Sequence, residues 1–223
     1  MLEHADAYRE LRTRVVDVVR ARDGAELQTV VPAAPAWRVH DVLAHLSGVC
    51  ADIVAGNLDG VTTDPWTAAQ VAPRRDWPSE RLLAEWEEQG TAVESIIGQV
   101  PDLPAWNTFL FDAATHEHDI RGALGVPGER DTELIGSLVE RVVPRLGPEG
   151  TGAIRLEFDD GTVLVAGEGD PSTTLRTSRF EVFRAVTGRR SVAQVRAYDW
   201  DPAPRPEWLV LEIFTPRATD LVE

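Results

Sequence analysis

The sequence contains no lysine and only one cysteine, Cys50, and both shortages exclude particular kinds of chemistry. All 22 basic residues of the 223-residue chain are arginines, which excludes a Schiff-base lysine and any phosphate-binding loop that depends on lysine. A single cysteine excludes an internal disulfide framework and a multi-cysteine zinc site. Cysteine this scarce is typical of a reducing compartment, and we expect Cys50 to be a buried structural thiol.

Positive charge is also scarce in this chain. It has 37 aspartates and glutamates, and its formal net charge is −15. Such a surface repels nucleic-acid phosphates and anionic lipid headgroups, which argues against nucleic acids and membrane surfaces as partners. No apolar run approaches the roughly 18 residues that a membrane span needs, and the first residues lack the apolar core of a signal peptide. We therefore expect a cytoplasmic protein with no membrane partner.

The length favours one large domain or two small ones, and the first half has the periodicity of a helical bundle. Apolar residues recur there at helical spacing in four segments. The segments are residues 2–22, 39–58, 79–100 and 107–124. Four helices of this length joined by loops predict a four-helix bundle. Residues 59–78 have neither helical nor strand periodicity and contain three prolines, and we interpret them as a lid or a pocket-lining crossover.

The second half has a different pattern, which predicts a small α+β module. A helix over 132–146 leads into a Pro/Gly-rich break. The expected elements that follow are a β-hairpin at 153–167, a strand at 174–177, a helix at 180–187 and a last strand at 208–214. We therefore predict an α+β protein with two domains, a four-helix bundle over residues 1–130 and a small α+β domain over residues 131–223.

Two histidines fall on the inward faces of different helices of the predicted bundle. His45 lies on the inward stripe of the second helix and His116 on that of the fourth. Asp112 precedes His116 by four residues and Asp119 follows it by three, so both carboxylates lie close to its ring. Two imidazoles and a carboxylate suit zinc and leave a fourth position for water, thiolate or substrate. The alternative is that both are core histidines, hydrogen-bonded to carboxylates.

Three segments of the chain resemble a known family. They are AWRVHDVLAHLSG (36–48), FDAATHEHDIRGALG (111–125) and FEVFRAVTGRRSVAQVRAYDW (180–200). The first two are similar to signatures of the mycothiol-dependent maleylpyruvate isomerases, a branch of the DinB-like helical bundles. The third resembles the C-terminal domain of that family, whose fold is similar to that of sterol carrier proteins. The resemblance covers nearly the whole chain in the right order.

The resemblance implies a metal site and assigns its ligands. The metal-binding histidines of the family fall on His45 and His116, and its carboxylate ligand falls on Asp112, where the isomerases have glutamate. The aspartate side chain is one methylene shorter, which leaves open whether Asp112 binds a metal directly or through water. The implied cofactor is zinc or another divalent metal, with mycothiol as the thiol cosubstrate.

The resemblance also implies an anionic substrate. In the isomerases a metal-bound thiolate is thought to add to the double bond of an unsaturated diacid, which permits rotation before the thiol leaves. Arg189 and Arg190 are our first candidates for a clamp on the carboxylates of such a substrate. Arg74 and Arg75, on the crossover, are a second candidate pair. The alternative for the C-terminal arginines is that they dock that domain against the acidic bundle.

The predicted function is thiol-dependent isomerisation or thiol transfer on a small anionic substrate. Two alternatives stay open at this point. One is a non-catalytic metal-containing binding or regulatory protein of the same fold, and the other is a metal-assisted hydrolase with water at the open position. The expected partners are small molecules, and the expected assembly is a monomer or a homodimer.

Overall fold

The computed structural model describes residues 3–147, 151–211 and 213–223. The chain divides into a unit that covers Met1–Pro127 together with Glu223 and a unit that covers Gly128–Val222. Among the described residues, the first unit is helical and the second combines helices with a three-stranded sheet. This mixture confirms the predicted α+β fold class. No helix formed by the described residues is long and apolar enough to cross a membrane.

Among its described residues, the first unit has the four long α-helices that the periodicity predicts and a short α-helix that it does not. In chain order the five are α1 (His4–Arg20), α2 (Val39–Ala55), α3 (Asp64–Val71), α4 (Ser79–Gln99) and α5 (Ala105–Leu124). Left-handed glycines end two of them, Gly56 after α2 at φ 71° and Gly125 after α5 at φ 64°. Helix α3 lies within the crossover and has Pro65 in its first turn, where a helix needs no amide donor.

The long helices form a bundle in which α2 packs against α4 and α5, and α1 packs against the same two helices. Its core consists of apolar side chains that helical spacing turns inward. They include Leu11, Val15, Val42, Trp86, Ile97, Leu110 and Ile120. The contact between α2 and α5 determines the position of the candidate site, because these two helices carry one candidate histidine each.

A buried hydrogen-bond chain joins three of the bundle helices. Trp86 Nε1 of α4 donates to the Tyr8 hydroxyl of α1 at 2.8 Å, and that oxygen lies 2.9 Å from Cys50 Sγ of α2. Burial raises the pKa of the Cys50 thiol to about 12, so the thiol stays protonated and unreactive at neutral pH. The prediction that Cys50 is a buried structural thiol is confirmed.

A buried carboxylate, Glu117, joins α5 to α1. Arg14 Nε and Nη2 donate to its two oxygens at 2.9 and 2.8 Å, and Arg121 Nε donates to Oε1 at 3.2 Å. Two guanidinium groups thus compensate for the desolvation of one carboxylate. Because Glu117 is the neighbour of His116 in sequence, this link also fixes the segment of α5 that carries the candidate ligands.

The second unit is built around the strand Thr151–Phe158, which pairs with a neighbouring strand segment along each of its two edges. In chain order its elements are α6 (Glu133–Val142), β1 (Thr151–Phe158), β2 (Val163–Thr177), α7 (Arg179–Val186), α8 (Val192–Arg196) and β3 (Asp199–Asp201). Residues 153–157 of β1 pair with residues 163–167 of β2 in antiparallel register. Residues 154–158 of β1 pair with residues 173–177 of β2 in parallel register, and β3 is antiparallel to that part of β2.

The predicted hairpin and the predicted strand at 174–177 both lie within this sheet, whereas the strand at 208–214 is wrong. Residues Pro206–Leu209 form a 3-10 turn, and the described residues that follow are not in a strand. Leu209 and Leu211 are buried there without strand pairing. The alternating apolar residues of this segment therefore predicted correctly that its leucines are buried. They predicted incorrectly that the segment pairs with another strand. Residue 212 lies outside the described residues.

An ion pair joins α7 to the segment that follows it. Arg190 Nε and Nη2 donate to the Glu181 carboxylate at 2.7 and 2.9 Å, and the Tyr198 hydroxyl donates to it at 2.6 Å. Burial raises the pKa of Glu181, but the hydrogen bonds and charge of Arg190 outweigh it and hold that pKa below its ordinary value. Burial and the nearby Glu181 raise the pKa of Tyr198 well above its ordinary range, so the phenol remains a donor.

We expect Glu181→Gln to destabilise the second unit in a pH-dependent way. Because the folded-state pKa of Glu181 is lowered, its carboxylate contributes stability above the unfolded-state pKa of about 4.3 and loses it as the pH falls through the lower folded value. The substitution should reduce the free energy of unfolding by about 2 kcal/mol at neutral pH and by much less in strong acid. Denaturant unfolding of the full chain at both pH values measures this.

The matched control is Glu168→Gln, which alters an exposed glutamate of β2 and should leave the free energy of unfolding within about 0.5 kcal/mol of the wild-type value. A loss in Glu181→Gln that is equally large at both pH values would contradict the assignment of the stability to the ionised carboxylate.

Candidate metal centre

Two histidines and an aspartate meet where α2 packs against α5. His45 Nε2 lies 3.2 Å from Asp112 Oδ2, and His116 Nε2 lies 3.5 Å from Asp112 Oδ1. The centroids of the two imidazole rings are 5.1 Å apart, and the rings meet edge to face. One ligand atom from each residue lies within 4.8 Å of the other two. The three residues that the resemblance assigns as ligands are therefore neighbours in space.

Each imidazole has its other nitrogen next to an oxygen. His45 Nδ1 lies 2.8 Å from Gln70 Oε1, and His116 Nδ1 lies 3.1 Å from Asp119 Oδ2. The second of these contacts is the one that the spacing of Asp119 and His116 predicts. An oxygen acceptor at Nδ1 places the proton of a neutral ring there and leaves the electron pair on Nε2. Both Nε2 atoms face Asp112, so each ring either directs the electron pair of its neutral form at a shared cation or, when protonated on both nitrogens, donates to this carboxylate.

This arrangement fits a divalent metal. Two imidazoles and one carboxylate form a donor set that suits divalent metals such as zinc. Metal-binding histidines typically donate their second ring N–H to an oxygen, as both rings do here. The two imidazole nitrogens contact different oxygens of Asp112, at 3.2 and 3.5 Å, and one ligand atom from each residue lies within 4.8 Å of the others. The shorter aspartate side chain therefore reaches both histidines.

The centre is buried on the histidine side and accessible on the aspartate side. The His45 and His116 side chains are 4% and 9% exposed, whereas the Asp112 side chain is 39% exposed. Trp37, which precedes α2, packs its indole against both imidazoles at centroid distances of 5.2 and 5.6 Å. Small molecules therefore have access to the centre beside Asp112, while the indole shields the histidine rings.

Gln70 is a residue of the site that the sequence did not reveal, because residues 59–78 carry no periodic pattern. It lies on α3 and is 1% exposed. Gly48 of α2 permits this approach, since a Cβ there would lie 2.6 Å from Gln70 Cβ. The sequence carries one indirect signal. Gly48 lies one helical turn after His45, and its lack of a side chain leaves room there for another element to approach α2.

Arg74 holds the crossover against α4. From the sequence we expected it to bind an anionic substrate instead. Its Nε and Nη2 donate to Glu85 of α4 at 2.6 and 2.8 Å, and its Nη1 donates to the Gln70 carbonyl at 3.0 Å. Burial raises the pKa of Glu85, but hydrogen bonds from Arg74 and Ser47 hold that pKa below its ordinary value. Arg75, its neighbour, is exposed.

Arg189 and Arg190 lie in the second unit, immediately after α7. The Arg190 guanidinium is held by Glu181 and its side chain is 5% exposed. Arg189 is half-buried, and its Nη1 donates to the Thr187 carbonyl at 2.7 Å. Their function as an anion clamp stays a prediction.

Comparisons with known proteins concern both the helical unit and the complete fold. The sequence model of the mycothiol maleylpyruvate isomerase N-terminal domain matches residues 8–122, a range that contains all three candidate ligands. One similar solved structure is that of a mycothiol-dependent maleylpyruvate isomerase, with a TM-score of 0.64 and 14% identity. Another is a histidine-to-alanine mutant of a protein of that name, with a TM-score of 0.63 and 13% identity.

Both structural matches cover 94% of this chain and 96% of the other chain. At these identities the likeness shows the fold alone. A comparison with the curated proteins finds no significant match.

We expect Gly48→Ala to displace α3 from α2, because the added methyl group overlaps the Gln70 side chain. The free energy of unfolding should fall by about 1–3 kcal/mol, as is typical when a packed contact is overfilled. The matched control is Gly98→Ala on α4, where a Cβ meets nothing within 4 Å. That change should leave stability unchanged or raise it by up to about 1 kcal/mol. Urea unfolding of both variants measures the difference, and equal effects would contradict the close approach.

Proposed function

We propose that this chain, which belongs to the mycothiol maleylpyruvate isomerase family, is a divalent-metal protein that uses a low-molecular-weight thiol in the cytoplasm. The reaction is isomerisation or thiol transfer on a small anionic substrate. His45, Asp112 and His116 hold the metal. Zinc is the metal best suited to two imidazoles and one carboxylate, and mycothiol is the thiol that the name of the family indicates.

One observation carries the metal assignment, namely that three electron-pair donors converge at the contact between α2 and α5. Each imidazole has its Nδ1 next to an oxygen, so its Nε2 is the nitrogen that faces the carboxylate. Metal-binding histidines typically direct one ring nitrogen at the metal and hydrogen-bond an oxygen with the other, and both rings share this pattern around one carboxylate. This common orientation supports a metal centre, and metal analysis of the purified protein distinguishes it from two core histidines hydrogen-bonded to Asp112.

Each residue has a definite function in this centre. His45 and His116 would hold a divalent metal through their electron pairs, and Asp112 would hold it through its negative charge. When bound, such a metal would lower the pKa of a thiol in contact with it and so favour the thiolate at neutral pH. Trp37 excludes water from the histidine rings, and the exposed edge of Asp112 marks the side on which thiol and substrate enter.

An anionic substrate requires positive charge, and the arginines after α7 are the candidates that we retain. Glu181 already neutralises Arg190 through two hydrogen bonds. Arg189 donates to the Thr187 carbonyl, and both arginines remain our candidates for a substrate carboxylate.

Replacement of either histidine by alanine should abolish stoichiometric zinc binding, because only one imidazole and one carboxylate remain. Elemental analysis of purified, dialysed His45→Ala and His116→Ala proteins measures the metal content, and circular dichroism checks that the helices stay folded. The control is His4→Ala, which removes a ring that contacts Pro101 and Asn107 instead and should keep one metal per chain. Full metal occupancy in His116→Ala would show that the ligand set is wrong.

Thiol use is tested with protein that carries cobalt(II) in place of zinc. Addition of mycothiol should produce a sulfur-to-cobalt charge-transfer band in the near ultraviolet, because the open position accepts the thiol sulfur. The disulfide form of mycothiol, which has no free thiol, is the matched control and should leave the spectrum unchanged. An identical spectrum with and without the thiol would contradict thiol use and favour the hydrolase alternative.

A further inference from the structure

Asp52 and Gln70 extend the hydrogen-bond chain that begins at His45. Gln70 Nε2 donates to Asp52 Oδ2 at 2.9 Å, and Gln70 Oε1 lies 2.8 Å from His45 Nδ1. Asp52 follows His45 by seven residues on α2, which is close to two helical turns, so both side chains lie on the same face. Gln70 bridges them from α3.

The chemistry of these three groups determines which nitrogen of His45 carries the proton. An ionised carboxylate only accepts hydrogen bonds, so Asp52 requires the NH₂ side of the Gln70 amide. Rotation of the amide by half a turn would direct its oxygen at that carboxylate and lose the bond. The amide oxygen therefore faces His45, and Nδ1 donates to it. The electron pair of the neutral ring is then on Nε2, the nitrogen that lies 3.2 Å from Asp112.

In His116 the proton is also held on Nδ1, but by a carboxylate that contacts the ring directly. Asp119 is fully buried, and its carboxylate accepts directly from Nδ1 of His116. An amide on its own cannot impose a tautomer in this way, because it presents a donor as readily as an acceptor. Gln70 needs a second group that selects its orientation, and Asp52 is positioned to be that group.

We propose that Asp52 and Gln70 are positioning residues that hold the proton of His45 on Nδ1 and so keep Nε2 available for a divalent metal. The inference rests on the proposed metal centre for its purpose, but the tautomer is a property of the metal-free protein. Because Gln70 belongs to α3, the readiness of His45 to bind a metal depends on the packing of α3 against α2.

The first test is the ring tautomer of His45 in the metal-free full chain. Two-bond ¹H–¹⁵N correlation spectra, recorded above the ordinary imidazole pKa, distinguish a protonated from an unprotonated ring nitrogen. Wild-type protein should show a protonated Nδ1. Asp52→Asn gives position 52 a donor as well as an acceptor, so the Gln70 amide gains a second orientation. The tautomer with a protonated Nε2 should then become populated.

A double variant provides the rescue. Asp52→Asn combined with Gln70→Glu exchanges the carboxylate and the amide at nearly constant volume. Position 70 then only accepts and position 52 donates to it, so the proton of His45 should return to Nδ1. If the two side chains only stabilised the packing of α3 against α2, the double variant would have no reason to restore the proton to Nδ1.

Zinc affinity, measured by competition with a chelator, is the second readout. Asp52→Asn should weaken binding about 10-fold, at the lower end of the range for outer partners of metal-binding histidines, and the double variant should recover most of the loss. The matched control is Asn57→Ala, which removes a different side-chain hydrogen bond to Asp52, from Asn57 Nδ2 to Oδ1 at 2.9 Å. It should change neither the tautomer nor the affinity.

Two results would overturn the proposal. One is an unchanged His45 tautomer in Asp52→Asn, and the other is a double variant that fails to restore the wild-type tautomer. A wild-type protein that binds no zinc would instead overturn the proposed function. The spectra of the metal-free variants would in that case still support or overturn the positioning of the proton.

Discussion

The mutual approach of two imidazole nitrogens and one carboxylate, between α2 and α5, is the constraint on which the first unit depends. Neither ring can turn away from Asp112 without losing the hydrogen bond of its other nitrogen to Gln70 or Asp119. Helix α5 is in turn held to α1 by the buried Glu117. A cation that binds this cluster interacts with the folded state alone, so metal binding and folding of the bundle are thermodynamically linked.

The two halves of the cluster form in different ways. His116 and its two carboxylates lie within eight residues of α5, at positions i−4, i and i+3, so they are neighbours as soon as the helix is formed. His45 depends on Gln70, which is 25 residues away and belongs to another helix. The α2 half of the centre therefore requires tertiary packing of α3, for which the absence of a side chain at Gly48 provides the space.

This difference explains how much the sequence could predict. Helical periodicity is sufficient for the α5 half, since Asp112, His116 and Asp119 share one helix face. Periodicity also places His45 on the inward face of α2, but the register of α2 against α5 is a tertiary property, and the resemblance supplied the assignment of both histidines to one ligand set. Gln70 had only the indirect signal of Gly48, because α3 is mostly exposed and its residues carry no periodic apolar pattern. In the second unit, β3 has only three residues, too few for an alternating pattern.

The acidity of the chain also bears on the proposed metal centre. The chain has a net charge of −15, and the candidate ligand Asp112 adds a carboxylate on the exposed side of the centre. A divalent cation held by His45, Asp112 and His116 would place positive charge on this side, where low solvent access to the histidines strengthens electrostatic interactions. In the proposed function, the same ion would therefore activate the thiol and favour the approach of an anionic molecule to the centre.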